Sequence, residues 1–552
     1  MSEPWSGLTR RALIRRAGGV AGGLAVGGLL AACGGGAAPA ASSGTGAASA
    51  SASAAPKPGG SIIIGTLGEA SSINPIYTTE SEGTWRTMML FDPVLARNPD
   101  DLSLQPHLAS KWDIRPDGQQ YTFTLRNDVK WQDGKPFSAR DVEFTVLNIL
   151  MQRYTGPYRT QFKIIQGSDS VTSDATGSCP GIKVVDPQTI QFTLSAPNAP
   201  FLNNMYILRP LPAHLLQGKD PRTDAFNQNP VGTGPFQFKS WKVGGDFVAT
   251  ANANYWGGRP YLDSFTHRVI PDASTLVLAL ETKEIDGSLY PDPTQYGNLK
   301  GKGFLNVFQQ PYGSDIEGWG FSFDVPALAI KEVRQAIAHA LDMKAYLKIA
   351  YPNGLGGVAN GPMNPNAWFW DKSVQPPAYD MTMAKQLLAK SGQSNISLTL
   401  MVNNGNTQRQ ELATYTQSQL QQLGINATIQ QPEWTTVVST ISGGKAQMSI
   451  PWAYGTYDPD DLYNYLYSTS PANVYHYKNA QVDKLLTQGR ETVDQNKRIQ
   501  IYDQLQQIIE DDLPTYWAYY RAFINVIGKN FGGVHESFLG LFWNLPKIYR
   551  IS

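Results

Sequence analysis

The feature that most limits how this chain can fold lies near its N-terminus, where a cysteine separates a short apolar run from a long stretch of small residues. The run Ala17–Ala32 has six glycines in 16 residues. It is too short to span a bilayer as a stable helix and too rich in glycine for a buried one. Cys33 follows directly, and the Ala-, Gly- and Ser-rich residues after it cannot bury enough apolar surface to fold. We therefore expect the folded part to begin near Gly59.

The segment before Cys33 has the organisation of a signal peptide. A basic stretch, TRRALIRR (Thr9–Arg16), precedes the apolar run, and small residues end that run. Leu30–Cys33 resembles the lipobox of bacterial lipoproteins, in which the chain is cleaved before a cysteine whose thiol receives a diacylglycerol. The basic stretch also resembles a twin-arginine export signal, although Leu-Ile stands where Phe-Leu is usual. We expect residues 1–32 to be the signal peptide, and residues 33–58 to be the lipidated cysteine and a flexible tether.

The remainder is long enough for several packed units. The chain has 552 residues, more than one compact core accommodates, with 41% hydrophobic and 16% charged residues. Residues 1–32 carry four arginines and one glutamate, so the remainder has a net charge of about −3. That balance gives no basic footprint for nucleic acid. Two cysteines cannot form a disulfide framework, and we expect Cys179 to be a small buried hydrophobic residue.

Strand and helix patterns both occur along this remainder. Gly59–Leu67 and Gln119–Trp131 have the β-branched and alternating patterns of strands. Ser138–Gln152 has the N-cap and apolar spacing of a helix, and Glu332–Tyr351 is amphipathic. Asn479–Pro514 is a long helical stretch that ends at proline. The mixture predicts an α/β or α+β class.

Motifs for a reaction are missing from the sequence. The six histidines are scattered without metal-ligand spacing, and neither a G-x-S-x-G elbow nor a Walker A loop is present. The acidic run Asp458–Asp461 could bind a cation, but a solvated turn or helix N-terminus is the simpler interpretation. We therefore expect no catalytic residue, metal or cofactor. An exported, tethered, aromatic-rich chain of this kind suits a receptor.

Several segments resemble the family 5 extracellular solute-binding proteins, the peptide- and nickel-type receptors of ABC importers. The matching segments are Leu108–Val146, Asn229–Trp241, Asn252–Phe265 and Val333–Met343, with a looser match at Trp452–Leu462. Together they cover nearly the whole chain from about Gly59, in the family's order.

This resemblance implies an α/β, two-lobed fold of the periplasmic-binding-protein type, hinged like a clamshell, with an extra subdomain in lobe I. Lobe I would comprise 59–96, 208–290 and 520–552, the extra subdomain 97–207 and lobe II 291–519. A solute that contacts both lobes would stabilise the closed state, which would dock on a membrane permease of the importer. We expect a monomer, held by its lipid at the outer face of the plasma membrane or in the periplasm.

The resemblance also bears on the ligand's charged ends. In peptide-binding members an aspartate after a Trp-x-x pattern holds the free α-amine, and Gly455 stands at that position here. The arginine that holds the carboxylate in dipeptide-specific members aligns with Asn403 or Asn404, and Arg409 lies further along. A desolvated ammonium without a counter-charge is costly, so a zwitterionic dipeptide is disfavoured unless Asp458 or Glu80 substitutes.

Aromatic positions match the family better. Trp434 and Trp452 correspond to tryptophans that face the ligand in oligopeptide-binding relatives, and the loop at 74–83 corresponds to the lobe I side of the cleft. For each tryptophan core packing is the alternative, and for the loop a merely solvated role. The candidate ligand-binding residues are Trp434, Trp452, Tyr454, Gly455, Tyr77, Thr79, Glu80, Trp319 and Asp458.

Several functions remain compatible with this pattern. We expect an importer receptor for an oligopeptide. An oligosaccharide is an alternative because tryptophan rings also stack on sugars, and a metal chelate, an opine or a small cation would fit the same scaffold. An extracellular sensor or chaperone on this fold and a secreted enzyme are the remaining alternatives.

Overall fold

The computed structural model describes residues 56–78, 80–172, 178–310, 312, 315–450 and 457–551. Pro56–Ser552 forms one compact unit. The predicted signal peptide, the lipid anchor Cys33 and the tether up to residue 55 lie outside the described residues. So do four candidate site residues: Thr79, Trp452, Tyr454 and Gly455.

The strands, in chain order, are β1 (Ser61–Thr66), β2 (Leu95–Arg97), β3 (Leu104–Pro106), β4 (Ala109–Ile114), β5 (Gln120–Leu125), β6 (Ile182–Asp186), β7 (Thr189–Thr193), β8 (Phe236–Trp241), β9 (Asp246–Ala251), β10 (Ser264–Val269), β11 (Gly287–Leu289), β12 (Leu305–Gln309), β13 (Ile316–Phe321), β14 (Gly357–Val358), β15 (Ser397–Met401), β16 (Asn426–Gln430), β17 (Met448–Ser449), β18 (Thr515–Tyr520), β19 (Ile524–Gly528), β20 (Phe531–Gly532) and β21 (Tyr549–Arg550).

The α-helices are α1 (Ser81–Leu90), α2 (Ala139–Leu150), α3 (Arg159–Phe162), α4 (Phe201–Ile207), α5 (Ala213–Leu216), α6 (Ala273–Glu281), α7 (Tyr296–Gly301), α8 (Pro326–Ala329), α9 (Lys331–His339), α10 (Met343–Ala350), α11 (Met381–Lys390), α12 (Thr407–Gln422), α13 (Trp434–Ser442), α14 (Asp461–Leu466), α15 (Ala480–Glu491) and α16 (Gln495–Asp512). Short 3-10 helices lie at Ser168–Ser170, Ala225–Gln228, Pro293–Gln295 and Phe542–Lys547. Among these described helices, none is both long and apolar enough to cross a membrane.

Two large sheets organise the described residues. The first has seven strands in the order β12-β19-β11-β1-β10-β9-β8, and the second has six in the order β14-β18-β13-β17-β15-β16. A four-stranded sheet, β4-β5-β7-β6, lies in the predicted extra subdomain. The predicted mixed α/β class is confirmed, and the predicted strands near Gly59 and Gln119 are β1 and β5.

Two short segments join the large sheets. The chain passes from β12 in the first sheet to β13 in the second between residues 309 and 316, where residues 310, 312 and 315 are described, and residues 521–523 lead from β18 back to β19. We call them the crossover segments. The sequence-based boundary at 519/520 lies next to the second crossover. The boundary at 290/291 lies earlier than the first, because β12 still pairs with β19 in the seven-stranded sheet.

Apolar packing follows these sheets. One continuous core includes Ile62 and Ile64 of β1 and also rings of the four-stranded sheet, such as Phe123 and Phe192. Cys179 is buried in this same core, as predicted, and its thiol donates to the carbonyl of Gln166 at 3.3 Å. Burial raises the pKa of that thiol.

Two predicted long helices are each interrupted. The stretch Glu332–Tyr351 divides into α9 and α10, and Asn479–Pro514 divides into α15 and α16. At each break an aspartate caps the second helix: Asp342 accepts from the amide of Ala345, and Asp494 accepts from that of Lys497. A side chain that accepts from the N3 amide begins a new helix, which is why the apolar spacing alone did not reveal the breaks.

Candidate functional site

Opposite charges meet beside the crossover segments. Glu317, in β13 just after the first crossover, is buried. The guanidinium of Arg409 contacts it with Nε 3.0 Å from each carboxylate oxygen and Nη2 2.9 Å from Oε1. Arg521, in the second crossover, places its Nε 3.6 Å from Oε1. One buried carboxylate therefore faces two guanidinium groups from separate parts of the chain.

An exposed aromatic ring lies against Arg409 of this cluster. Arg409 lies in the first turn of α12, where its amide donates to the N-cap side chain of Asn406. Its Nη1 donates to Oδ1 of Asn403 at 2.8 Å, and its guanidinium lies 5.4 Å from the ring centre of Trp434. Trp434 begins α13 and is 45% exposed, so its ring is available to a ligand. A flat ring above a fixed cation can contact an apolar side chain and an anionic group together.

The loop after β1 lies at the end of the seven-stranded sheet where the first crossover segment begins. β1 runs parallel to β11, and both β11 and β12 pair antiparallel with β19, so β1 and β12 point the same way. The loop that contains Tyr77 and Glu80 therefore leaves the sheet at the end where the first crossover begins. This topology is consistent with the predicted lobe I wall.

Within that loop, Tyr77 and Glu80 both have local partners. The ring of Tyr77 packs 5.2 Å from that of Tyr154, and burial together with the nearby Asp220 raises its pKa to about 12. The Glu80 carboxylate accepts from the amide and the hydroxyl of Ser71 at 2.8 and 3.0 Å. Both side chains are therefore engaged within lobe I in this structure.

Trp319 lies in the core rather than at a ligand-facing surface. Its side chain has no exposed area, and Nε1 donates to Oγ1 of the buried Thr416 at 3.0 Å. This placement supports the core-packing alternative.

Asp458 has its carboxylate engaged. Oδ1 lies 2.6 Å from Nη2 of Arg498, and Oδ2 lies 3.0 Å from Nη1 of the same residue. Oδ2 also accepts from the side-chain amide of Asn203 at 2.6 Å. In peptide-binding relatives an aspartate at the position of Gly455 holds the ligand's α-amine. Asp458 could take over that role only if these contacts were broken.

Residues outside the described ranges keep their predicted roles as predictions only: Thr79, Trp452, Tyr454 and Gly455. Within the ranges that are described, no group of three or more His, Cys, Asp or Glu side chains has the geometry to hold a metal ion.

Sequence reasoning missed the cluster around Glu317. Glu317 and Arg409 are 92 residues apart, so no spacing rule connects them. A local sequence pattern could have indicated Arg409. It stands six residues after Asn403, and the turn that precedes α12 brings its side chain back to that residue.

Comparisons with known proteins agree with this architecture. The family model "Bacterial extracellular solute-binding proteins, family 5 Middle" matches residues 103–474. The oligopeptide-binding protein AppA of Bacillus subtilis is 29% identical, over 84% of this chain and 87% of its own length. The dipeptide-binding protein of Escherichia coli is 26% identical, over 81% of this chain and 87% of its own.

Solved structures give the same result. The substrate-binding protein CtaP of Listeria monocytogenes superposes with a TM-score of 0.80 at 26% identity, covering 90% of this chain and all of CtaP. Bacillus subtilis AppA in complex with a nonapeptide superposes with a TM-score of 0.72 at 26% identity, covering 90% of this chain and all of that one.

Proposed function

The chain belongs to the family 5 bacterial extracellular solute-binding proteins, and from that premise we propose that it captures an oligopeptide between two lobes and delivers it to an ABC permease. Its two-lobed α/β fold is that of periplasmic binding proteins, and the relatives it resembles are binding proteins rather than enzymes.

The observation that carries the proposal is the exposed ring of Trp434 above Arg409. This pair lies at the end of the six-stranded sheet where the crossover segments leave, next to the buried Glu317. The ring provides an apolar surface for a ligand side chain. The N–H groups of the guanidinium that Glu317 and Asn403 do not engage can donate to a peptide carboxylate.

The two crossover segments are the hinge in this proposal. Only residues 310–315 and 521–523 connect the two large sheets at this place among the described strands, so a rotation about both would change the distance between the sheets. A ligand that contacts both sides stabilises the closed arrangement by its additional contacts there.

A peptide longer than two residues fits the charges better than a dipeptide does. Gly455 has no carboxylate for an α-amine, and the carboxylate of Asp458 is already bonded to Arg498 and Asn203. A dipeptide would bury its ammonium without a counter-charge, whereas a longer peptide can leave its N-terminus nearer solvent.

Calorimetric titration tests the proposal with defined ligands. A nonapeptide of mixed sequence should bind saturably and be recovered unchanged by mass spectrometry, while dialanine and maltohexaose should not bind. Arg409→Gln should weaken peptide binding at least tenfold. Arg115→Gln, which alters an exposed arginine of the extra subdomain, is the matched control and should bind like the parent protein.

Other outcomes would contradict the proposal in distinct ways. Binding of the sugar without the peptide would favour the oligosaccharide alternative. Chemical conversion of the peptide would indicate an enzyme, and equal affinities for the Arg409→Gln and Arg115→Gln variants would remove Arg409 from the site.

A further inference from the structure

A large cavity lies at the end of the seven-stranded sheet opposite to the one where the crossover segments begin. Its volume is about 810 Å³, and its wall includes Pro56 and Tyr261, which precede β1 and β10. These two strands are parallel, so the cavity adjoins their amino ends while the proposed cleft adjoins the carboxyl end of β1. None of the cavity's lining residues belongs to 291–519. Trp434, Arg409 and Glu317 do not line it, so the cavity is distinct from that cluster, although Arg97 in its wall donates to the carbonyl of Tyr457 at 3.1 Å. Its size is in the range of small-molecule pockets.

Arg209 lines this cavity as a buried cation. It follows α4 and is 8% exposed, and in the described part of the chain it makes no hydrogen bond or ion pair. Its Nε is buried without a partner. A buried guanidinium normally has an anion or several acceptors beside it, because burial removes its hydration. Arg209 thus lines the cavity as a guanidinium for which the described residues supply no hydrogen-bond acceptor.

The cavity wall carries more basic than acidic side chains. Among the described lining residues, Arg97, Arg209, Arg259 and Lys547 are basic and Asp92 alone is acidic, and of these cations Arg259 is ion-paired with Asp263, which does not line the cavity. Asp92 forms no ion pair with Arg209 among the described contacts, and its oxygens accept from three other groups: the His107 imidazole, the Tyr255 hydroxyl and the Trp256 indole, each at 2.9 Å. The wall therefore favours an anionic occupant.

Asp92 also holds Trp256, one of the aromatic residues in the cavity wall. Trp256 is held by its hydrogen bond to Asp92, while the guanidinium of Arg126 lies 4.4 Å from its ring centre and the ring of His107 meets it edge-on at 4.9 Å. Trp543 also lines the cavity. Rings that are fixed before binding offer flat apolar surface at little cost in conformational entropy.

We propose that this cavity is a second binding site, which takes a small organic acid with an aromatic body. The carboxylate of the ligand pairs with the guanidinium of Arg209, and the aromatic body packs against the ring wall at Trp256 and Trp543. The pairing is charge-assisted and can be bidentate, so it should discriminate strongly against an uncharged isostere.

The test uses indole-3-acetate as the probe and indole-3-acetamide as its uncharged isostere. Calorimetry on the mature chain should show saturable binding of the acid at one site and at least tenfold weaker binding of the amide. Arg209→Met should reduce affinity for the acid to that for the amide, and Arg209→Lys should retain part of the difference. Trp434→Ala, which alters the proposed peptide site, should leave the acid's affinity unchanged.

Three results would overturn the second site: no saturable binding of the acid, equal binding of acid and amide, or loss of acid binding in Trp434→Ala but not in Arg209→Met. The acid and amide comparison on the parent protein decides the question even if Arg209→Met does not fold, and Trp543→Leu, expected to weaken both ligands, gives a second variant. Peptide binding that persists in Arg209→Met separates this inference from the proposed function.

Discussion

Arg498 holds Asp458 through two hydrogen bonds of 2.6 and 3.0 Å, and the side chains of both residues are 6% exposed. Two residues later Asp460 is bound in the same way by Arg490, with contacts of 2.7 to 3.1 Å. The sequence suggested this acidic run as a cation site, or as a solvated turn or helix N-terminus. It does lie at the N-terminus of α14, but Asp458 and Asp460 direct their carboxylates inward, to arginines on α16 and α15.

Removing one partner of this pair should destabilise the protein strongly. Arg498→Met leaves the Asp458 carboxylate buried with the Asn203 amide and a backbone amide as its remaining donors. We expect the free energy of unfolding to fall by about 3–5 kcal/mol, measured by urea denaturation. Arg115→Met, which breaks an exposed pair with Asp117, should cost less than about 1 kcal/mol. Equal effects of the two variants would show that the buried pair contributes no more than a surface one.

Much of the architecture could be predicted because it is encoded locally. The β-branched run of β1, the alternation in β5 and the acidic first turn of α2 each identify their element from a few neighbouring residues. The family resemblance supplied the order of the segments. The breaks at Asp342 and Asp494 were missed because the apolar spacing continues through both caps.

The site was less predictable because its charges come from distant parts of the chain. Glu317, Arg409 and Arg521 meet only because β13 pairs with β18 and the chain crosses between the sheets on either side of them. Trp434 and Trp319 look alike in sequence, yet the first lies exposed at the start of a helix and the second in a fully buried strand. Only the fold separates these two roles.

Those two tryptophans should therefore respond differently to substitution. Trp434→Ala should weaken peptide binding by more than about 1 kcal/mol with little change in melting temperature, because an exposed ring contributes little to the core. Trp319→Ala should instead lower the free energy of unfolding by about 3–5 kcal/mol, since it leaves a cavity and the unpaired hydroxyl of Thr416. Calorimetric titration and thermal denaturation of both variants test this. A Trp434→Ala protein with unchanged affinity and a normal melting temperature would show that Trp434 does not bind the ligand.

Trp452→Ala is the companion test for a residue outside the described ranges. If Trp452 stacks on the ligand as the family resemblance implies, its loss should also weaken binding by more than about 1 kcal/mol. The same titration, with melting temperature as the control for folding, measures the effect. A variant with parental affinity and intact melting would show that the ring serves packing elsewhere.

Glu510 should make stability depend on pH. Its Oε2 atom is buried without a hydrogen-bond partner, and burial raises its pKa to about 8. The folded state then binds this proton more tightly than the unfolded state, where the pKa is near 4.5. The stabilisation that the folded state gains from binding this proton is complete below about pH 4.5 and is lost as the pH rises towards 8.

A neutral isostere should remove that dependence. Glu510→Gln should be more stable than the parent protein at pH 8.5 by roughly 2–4 kcal/mol, and the difference should shrink as the pH falls to 5. Glu491→Gln, at an exposed position at the end of α15, should show no such trend. Urea midpoints measured at several pH values give the comparison. A constant difference between Glu510→Gln and the parent across this range would show that the carboxyl does not titrate as expected.

Cys33 provides the test of the predicted membrane anchor. If its thiol carries the lipid, Cys33→Ala should move the protein from the membrane pellet to the soluble fraction, because several acyl chains provide the binding energy and each buried CH₂ contributes about 0.8 kcal/mol. Cys179→Ala is the matched control: that thiol is buried in the folded core, so its loss should leave the protein with the membranes. Fractionation of cells that express each variant, followed by mass spectrometry of the mature N-terminal peptide, measures both effects. A Cys33→Ala protein that still sediments with membranes, or an unmodified Cys33 in the parent protein, would contradict the anchor.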